Sequence, residues 1–302
     1  MALRVCFVNF WPGAFTEANG AYFLPYVFNL AFGEVEITDD MATADVVVSS
    51  VFGQQPVPAA KSIQYIGENH RPNLALHRYA LSFDYDPFGG RNFRLPLWWW
   101  RLEWPGFAEH WRRRPAPRRQ VGHGYEDLIP IDALLRPRPA MEFAHRRFCV
   151  LIAGNPEPLR INLFLALRDV GEVVGYGRLF NNPLERSKFE LLPQFRFCLC
   201  PENGIYPGYH TEKLVDAWFG GCVPLYSGDR FLSRDFNPAA LLNYQDFLNA
   251  SHFCDAVRSL ETQANAFEQI YSQPLLLQRP TLEPLIAFLR TALADILRTR
   301  AT

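Results

Sequence analysis

Apolar residues along this chain gather in short uninterrupted runs rather than in strict alternation, the pattern of strands buried on both faces of a parallel sheet. Runs at 5–10, 44–51, 62–66 and 79–83 predict strands in the first half. The stretch 22–32 predicts a helix, with Pro25 tolerated only near its start. From 104 to 139 the pattern decays into a proline-rich segment holding a basic run from Arg112 to Arg119. No amphipathic helix flanks that run, so it reads as a solvated loop or linker before a nucleic-acid or membrane patch. Regular structure resumes with a strand at 148–153, a helix at 160–170 and strands at 172–176, 195–200 and 223–226. Leu282, Leu285, Phe288, Leu289, Leu293 and Leu297 lie on or near one face of a final amphipathic helix, 281–298. Strands alternating with helices in both halves predict an α/β protein of two Rossmann-like domains facing across a cleft. The expected division is an N-terminal domain over 1–142, with 281–302 packing back on it, and a second domain over 143–280.

A chain of 302 residues is long enough for two such domains, and 49% hydrophobic with 20% charged residues describes a soluble globular protein with a substantial core. A formal net charge of −1 argues against general nucleic-acid affinity, which needs a basic face. Cys6, Cys149, Cys198, Cys200, Cys222 and Cys254 sit mostly in strand-like apolar runs without zinc-type spacing, and Cys198 and Cys200 share one strand face. They read as reduced core thiols, which favours a cytoplasmic setting. The opening Met1-Ala-Leu-Arg leads straight into a strand, so no signal peptide is expected. No apolar run approaches the ~18 to 20 residues that span a bilayer.

The segment Cys198-Leu-Cys-Pro-Glu-Asn-Gly-Ile-Tyr-Pro-Gly-Tyr-His-Thr-Glu-Lys213 carries the most chemistry. A strand breaks into a turn rich in Pro, Gly and Asn, and a helix is expected to restart with Thr211 as N-cap and Glu212 and Lys213 in its first turn. Free backbone N–H groups and the positive end of the helix dipole favour a phosphate there. Lys213 read alone is a solvated helix residue; its neighbours make it a phosphate ligand.

This run closely resembles the donor-binding signature of the α-1,3/4-fucosyltransferases: Cys-x-Glu-Asn, then Tyr-Pro-Gly-Tyr-x-Thr-Glu-Lys, an apolar helix and a strand. The resemblance extends over residues 60–96 and 146–250. In the first stretch, Gly67-Glu-Asn69, Arg71-Pro-Asn73 and Tyr79-Ala-Leu-Ser-Phe-Asp84 are similar to family segments, with Ser82 replacing a glycine. Tyr226-Ser-Gly228 replaces the family's Tyr-Trp-Gly, and Cys200-Pro-Glu202 its Cys-Phe-Glu. The resemblance implies a bacterial-type enzyme of GT-B architecture. Its substrates would be a GDP-fucose donor and an N-acetyllactosamine or Lewis-type glycan acceptor. It implies Glu68 as catalytic base, Arg160 on the donor phosphate and Glu212 on the ribose hydroxyls. Tyr209 would meet the nucleotide, and Glu202 and Asn203 would line the donor-sugar side. Tyr176 is placed in the guanosine pocket by position.

The residues themselves support these assignments in part. A glutamate just past a strand end points out of the core, although Glu68 could also cap a turn or pair with Arg71. His70 is a rival base, because its ordinary pKa is nearer neutrality; His123 and His210 read as surface residues. Arg160, after Gly154-Asn-Pro156, has the planar fork that suits phosphate, or else pairs with Glu157. Asp84-Tyr-Asp86 has Asp-x-Asp spacing but lies outside the donor signature. With Arg160 and Lys213 to neutralise the leaving group, no cofactor and no metal are expected. Peripheral association with membrane glycolipid stays open. Two other readings stand: a transferase of another nucleotide sugar, or a non-catalytic carbohydrate-binding protein. An NAD oxidoreductase is disfavoured by the lack of a strand leading into Gly-x-Gly-x-x-Gly.

Overall fold

The computed structural model describes residues 2–15, 22–107, 109, 128–185 and 187–298. The basic run from Arg112 to Arg119 and His123 lie outside them. The chain divides into two compact units, one of 1–100, 105–115 and 280–302, the other of 101–104 and 116–279.

In the first unit six strands are all parallel: β1 (Leu3–Val8), β2 (Val35–Ile37), β3 (Val46–Ser49), β4 (Ser62–Tyr65), β5 (Tyr79–Ser82) and β6 (Asn92–Arg94). Their spatial order is β2-β1-β3-β4-β5-β6. β3 and β4 are buried at every position, which is why their sequences are continuous runs rather than alternations. Helix α1 (Phe23–Phe32) carries Pro25 in its first turn, where its missing N–H costs nothing. The C-terminal helix α8 (Glu283–Arg298) lies in this unit. Arg290 Nε on α8 donates to the Ala31 carbonyl of α1 at 3.1 Å, and Phe288 packs edge-on to Tyr79. Its buried stripe is Leu285, Leu289, Ala292, Leu293 and Ile296. Ile296, not Leu297, fills the last inward position. Truncating Leu289 to Ala would cost about 2–5 kcal/mol.

The second unit contains α2 (Ile131–Leu134), β7 (Arg147–Ile152), α3 (Pro158–Leu167), β8 (Val173–Tyr176), α4 (Lys188–Leu191) and β9 (Phe195–Pro201). It continues with α5 (Lys213–Phe219), β10 (Val223–Ser227), β11 (Leu242–Asn243), α6 (Ala250–Thr262) and α7 (Ala264–Tyr271). Its five-stranded sheet is parallel in the order β11-β10-β9-β7-β8. Phe148, Leu151, Leu163, Phe197, Leu225, Phe253 and Phe267 form its core, to which the sheet, α3, α6 and α7 all contribute. The boundary differs from the expected break at 142. Leu102 bridges Ile129, and Arg138 donates to the carbonyls of Tyr271, Trp218 and Cys222. Those bonds and its stacking on Trp218 and Tyr271 tie 128–142 to the second unit. All six cysteines are free and buried; Cys198 and Cys200 share a strand face with their Sγ atoms 3.7 Å apart.

Candidate active site

In an open parallel sheet the strand C-termini present the loops that bind ligand. In the second unit the segments after β7, β8 and β9 meet in this way. β9 runs into Glu202, whose backbone N–H donates to the Ser227 carbonyl at 2.8 Å, locking it beside the end of β10. Its buried carboxylate organises the donor signature. It accepts the Thr211 backbone N–H at 2.9 Å, the Thr211 hydroxyl at 2.8 Å and the Lys213 ammonium at 2.8 Å. Lys213 Nζ also meets Thr211 Oγ1 at 2.9 Å.

This geometry corrects two expectations. Thr211 does not cap the helix. Its hydroxyl is held by Glu202, and α5 starts one residue later, with Glu212 at the N-cap position and no side-chain cap. Glu202 is then a structural clamp, its oxygens taken by Thr211 and Lys213 rather than free for a sugar. Nor is Lys213 a solvated residue. Burial works against its charge, but Glu202 and Glu212 outweigh that and raise its pKa above the ordinary lysine value. Glu212 is held below the usual carboxylate range, because Lys213 and Lys188 outweigh the desolvation that would raise it.

Arg160 lies in the first turn of α3, after Pro158 at the start of the helix, and is only 2% exposed. Of the five guanidinium N–H groups, Nη1 gives one to the Asn155 carbonyl. Nη2 gives two, to the Pro201 carbonyl at 3.2 Å and to Asn203 Oδ1 at 2.7 Å. A full bidentate fork to phosphate is therefore not open in this arrangement. Arg160 joins the loops after β7 and β9 and contributes its charge. Desolvation lowers its pKa, partly opposed by Glu157 and Glu202.

Tyr209 is 1% exposed, so its ring is buried in this arrangement of the loop. Tyr176, at the end of β8, is half-buried on the ligand edge. His210 is the plainest departure from expectation: it is 1% exposed, not a surface residue. Nδ1 lies 2.6 Å from Asp235 Oδ2 and Nε2 lies 3.3 Å from Asp229 Oδ2. Asp229 Oδ2 also accepts the Gly208 N–H at 2.7 Å, tying the signature loop to the segment after β10.

Sequence reasoning missed Arg178. Its Nη2 donates to Asn155 Oδ1 at 2.8 Å, which brings a third cation beside the loop that Arg160 holds. The signal was Gly177. It has φ 97°, and a Cβ there would meet the Ala153 carbonyl at 2.4 Å, so only glycine lets the chain turn back against β7. Also missed was Asp216, buried on α5 between Arg101 at 2.8 Å and Lys188 at 2.9 Å. It fixes the helix that carries Lys213.

In the first unit Glu68 is half-buried, three residues beyond β4. The turn is closed by His70 N–H to the Glu68 carbonyl at 2.6 Å. Gly67 permits it, because a Cβ there would stand 2.9 Å from the Tyr65 hydroxyl. Arg71 forms an ion pair with Asp84 at 3.1 Å. His70 is exposed on the outer side of the turn. Asp84 and Asp86 serve as turn caps, accepting from the backbone of Asp86 and Phe88 respectively. Among the described residues no group of His, Cys, Asp and Glu gathers in a metal-holding arrangement. No described helix is long and apolar enough to cross a membrane.

Two parallel α/β units, with cations collected at the strand C-termini of the second, are the elements of the GT-B architecture. Residues 5–100 match the α-(1,3)-fucosyltransferase FucT N-terminal domain, and residues 147–273 match the glycosyltransferase family 10 (fucosyltransferase) C-terminal region. The chain belongs to this bacterial-type fucosyltransferase family. It is 31% identical over 263 residues to an α-(1,3)-fucosyltransferase FucT of Helicobacter pylori, covering 78% of this chain and 53% of that protein. It is 31% identical over 100 residues to 4-galactosyl-N-acetylglucosaminide 3-α-L-fucosyltransferase 9 of Cricetulus griseus, covering 33% of this chain and 25% of that one. The chain thus spans about half the length of the Helicobacter protein and a quarter of the hamster one. Crystal structures of an α1,3-fucosyltransferase with GDP and with GDP-fucose superpose at TM-scores of 0.74 and 0.72. Both are 27% identical and cover 97% of this chain and 90% of that one.

Proposed function

We propose that the protein transfers fucose from GDP-fucose to a hydroxyl of an N-acetyllactosamine or Lewis-type glycan, with inversion, forming an α-1,3 or α-1,4 linkage. The observation that carries this reading is the pair of cations anchored at the end of β9: Arg160 donates to the Pro201 carbonyl and to Asn203 Oδ1, on either side of Glu202, and Lys213 pairs with the Glu202 carboxylate. Two cations fixed at one strand end would form a preorganised seat for a diphosphate, which would share Lys213 with Glu202. Glu212 would accept from the ribose hydroxyls, and Tyr176 would contact the guanosine.

In the proposed step the acceptor oxygen attacks the anomeric carbon as the bond from that carbon to the β-phosphate oxygen breaks. Glu68 takes the acceptor proton, and GDP leaves with the bonding electron pair. The charge that develops on GDP is met by Lys213 and Arg160, with Arg178 close to Asn155, so the reading requires no metal or cofactor. The relatives' names speak of α-1,3 transfer, and one speaks of a galactosyl-N-acetylglucosaminide acceptor.

Incubating the purified protein with GDP-fucose, N-acetyllactosamine and EDTA tests the reading by mass spectrometry. A product heavier by one deoxyhexose residue supports donor, acceptor and metal independence together. Transfer only from a different nucleotide sugar would replace the donor. Activity that requires an added divalent cation would overturn the metal-free step.

A further inference from the structure

We propose that Trp11 and Phe52 form an acceptor subsite, an open aromatic corner that stacks on the apolar face of a pyranose ring in the saccharide receiving the fucosyl group. The inference rests on the transfer reaction proposed above and names a contact for its second substrate.

The topology places this corner. β1, β3 and β4 are consecutive neighbours in a parallel sheet, so their C-termini lie along one edge. Trp11 follows the end of β1 by three residues, Phe52 the end of β3 by three, and Glu68 the end of β4 by three. The aromatic pair and the carboxylate proposed as base thus emerge from the same edge of the same sheet.

The rings are arranged to be used. Trp11 and Phe52 lie edge to face, with centroids 5.2 Å apart and planes at 79°. Phe52 is 48% exposed and Trp11 is half-buried. Behind them Trp11 leans on Trp100, which stacks on Tyr65, which stacks in turn on Phe10, with centroids at 6.4, 5.2 and 5.8 Å. A backed aromatic ring meets a ligand with little entropy left to lose.

Asn9 fixes the corner. It is held at φ 60°, uncommon for a side chain other than glycine. Its amide donates to Ser49 Oγ and to the Gln55 carbonyl, its Oδ1 accepts the Gln55 N–H, and its carbonyl accepts the Phe52 N–H, each at 2.9 Å. A Cβ at Gly53 would stand 2.4 Å from Asn9 Oδ1, so a glycine is needed for so close a staple. The loop bearing Phe52 is thereby stitched to the end of β1 bearing Trp11.

The chemistry beside the corner selects the occupant. A cavity of about 530 Å³ is lined by the apolar Trp11, Phe10 and Phe15 and by the polar Asn9, Asp39 and Gln55. Such a volume suits a small ligand. The Asn9 amide is occupied by the staple, but the side chains of Gln55 and Asp39 beside aromatic rings match a ring with one C–H face and a rim of hydroxyls. Asp39 disfavours an anion, so a phosphate or nucleotide is the poorer fit.

Steady-state kinetics with GDP-fucose and N-acetyllactosamine, and saturation-transfer NMR of the free disaccharide, test the proposal. Trp11→Ala and Phe52→Ala should each raise the acceptor KM by about five- to tenfold and leave the KM for GDP-fucose at its wild-type value. Phe52→Tyr should restore the acceptor KM. Because Phe52 is open to solvent, its truncation should leave the melting temperature unchanged. An acceptor KM equal to wild type in both alanine variants would overturn the subsite. If the wild-type protein transfers no fucose, the functional reading fails and NMR alone judges the corner. Saturation transfer to the disaccharide that is lost in both variants supports it, and no transfer in the wild type, or equal transfer in all three, overturns it.

Discussion

His210 and Asp235 meet at 2.6 Å between Nδ1 and Oδ2, with Asp229 on the other side of the same imidazole. This buried contact joins the Tyr206–Thr211 end of the donor signature to the chain after β10. The histidine would act on the proposed donor site through the loop it holds. Removing it would leave two buried carboxylates facing each other, a loss of about 3 kcal/mol by analogy with other broken buried pairs. His210→Ala should lower the melting temperature and weaken GDP binding together in calorimetry, whereas His210→Gln should recover part of both. GDP affinity equal to wild type in the alanine variant would show that the loop holds its shape without this contact.

Glu68→Gln should lower kcat by roughly 10²-fold or more while GDP binds as in wild type, because this residue and the cation seat belong to different units. Wild-type turnover in the variant would move the base elsewhere, and His70, exposed on the same turn, would be examined next.

Lys213→Ala should raise the dissociation constant for GDP and also lower stability, since the buried Glu202 carboxylate loses its cation. Lys213→Arg separates the two effects. It keeps a positive charge near Glu202 and should restore stability more fully than GDP affinity, both readable by titration calorimetry and thermal melting. Equal GDP binding in all three proteins would remove Lys213 from the phosphate seat.

Acid should loosen the second unit. Desolvation would raise Asp216 and Asp229, yet both are held below the ordinary aspartate value. Arg101 and Lys188 do this for Asp216, and His210 with the Gly208 and Phe231 N–H groups does it for Asp229. A depressed carboxylate pKa contributes stability that is present above the unfolded value, about 3.9, and is lost as pH falls through the folded value. Wild-type stability should therefore decline as pH is lowered through and below about 4. Asp216→Asn should be less stable at pH 7 and show a shallower acid decline, measured by urea unfolding at a series of pH values. A parallel decline in wild type and variant would mean that Asp216 is not one of the groups responsible.

Most of the strands were legible because buried parallel strands are continuous apolar runs, as at Val46–Ser49. The donor signature was legible because its residue types and order are unusual. What the sequence concealed were partners. Thr211 looks like an N-cap locally, but a carboxylate nine residues away takes its hydroxyl. His210 occupies a variable slot between a glycine-rich turn and a helix, and nothing local announces two aspartates 19 and 25 residues downstream. Arg160 shows its charge in the sequence, whereas the carbonyls that occupy its fork belong to Asn155 and Pro201. Arg138 hid the division between the units in the same way, through three carbonyls more than 75 residues away.

The burial of every cysteine has a practical consequence. Desolvation raises the Cys6, Cys149, Cys200, Cys222 and Cys254 thiols above their ordinary value, which suppresses the reactive thiolate. Cys6 is in the first unit and the other five are in the second. An alkylating pulse should therefore mark only molecules that have opened, and the mass increment should say where: one tag for the first unit, five for the second, six for both. The chain carries its own address labels for following which half lets go first.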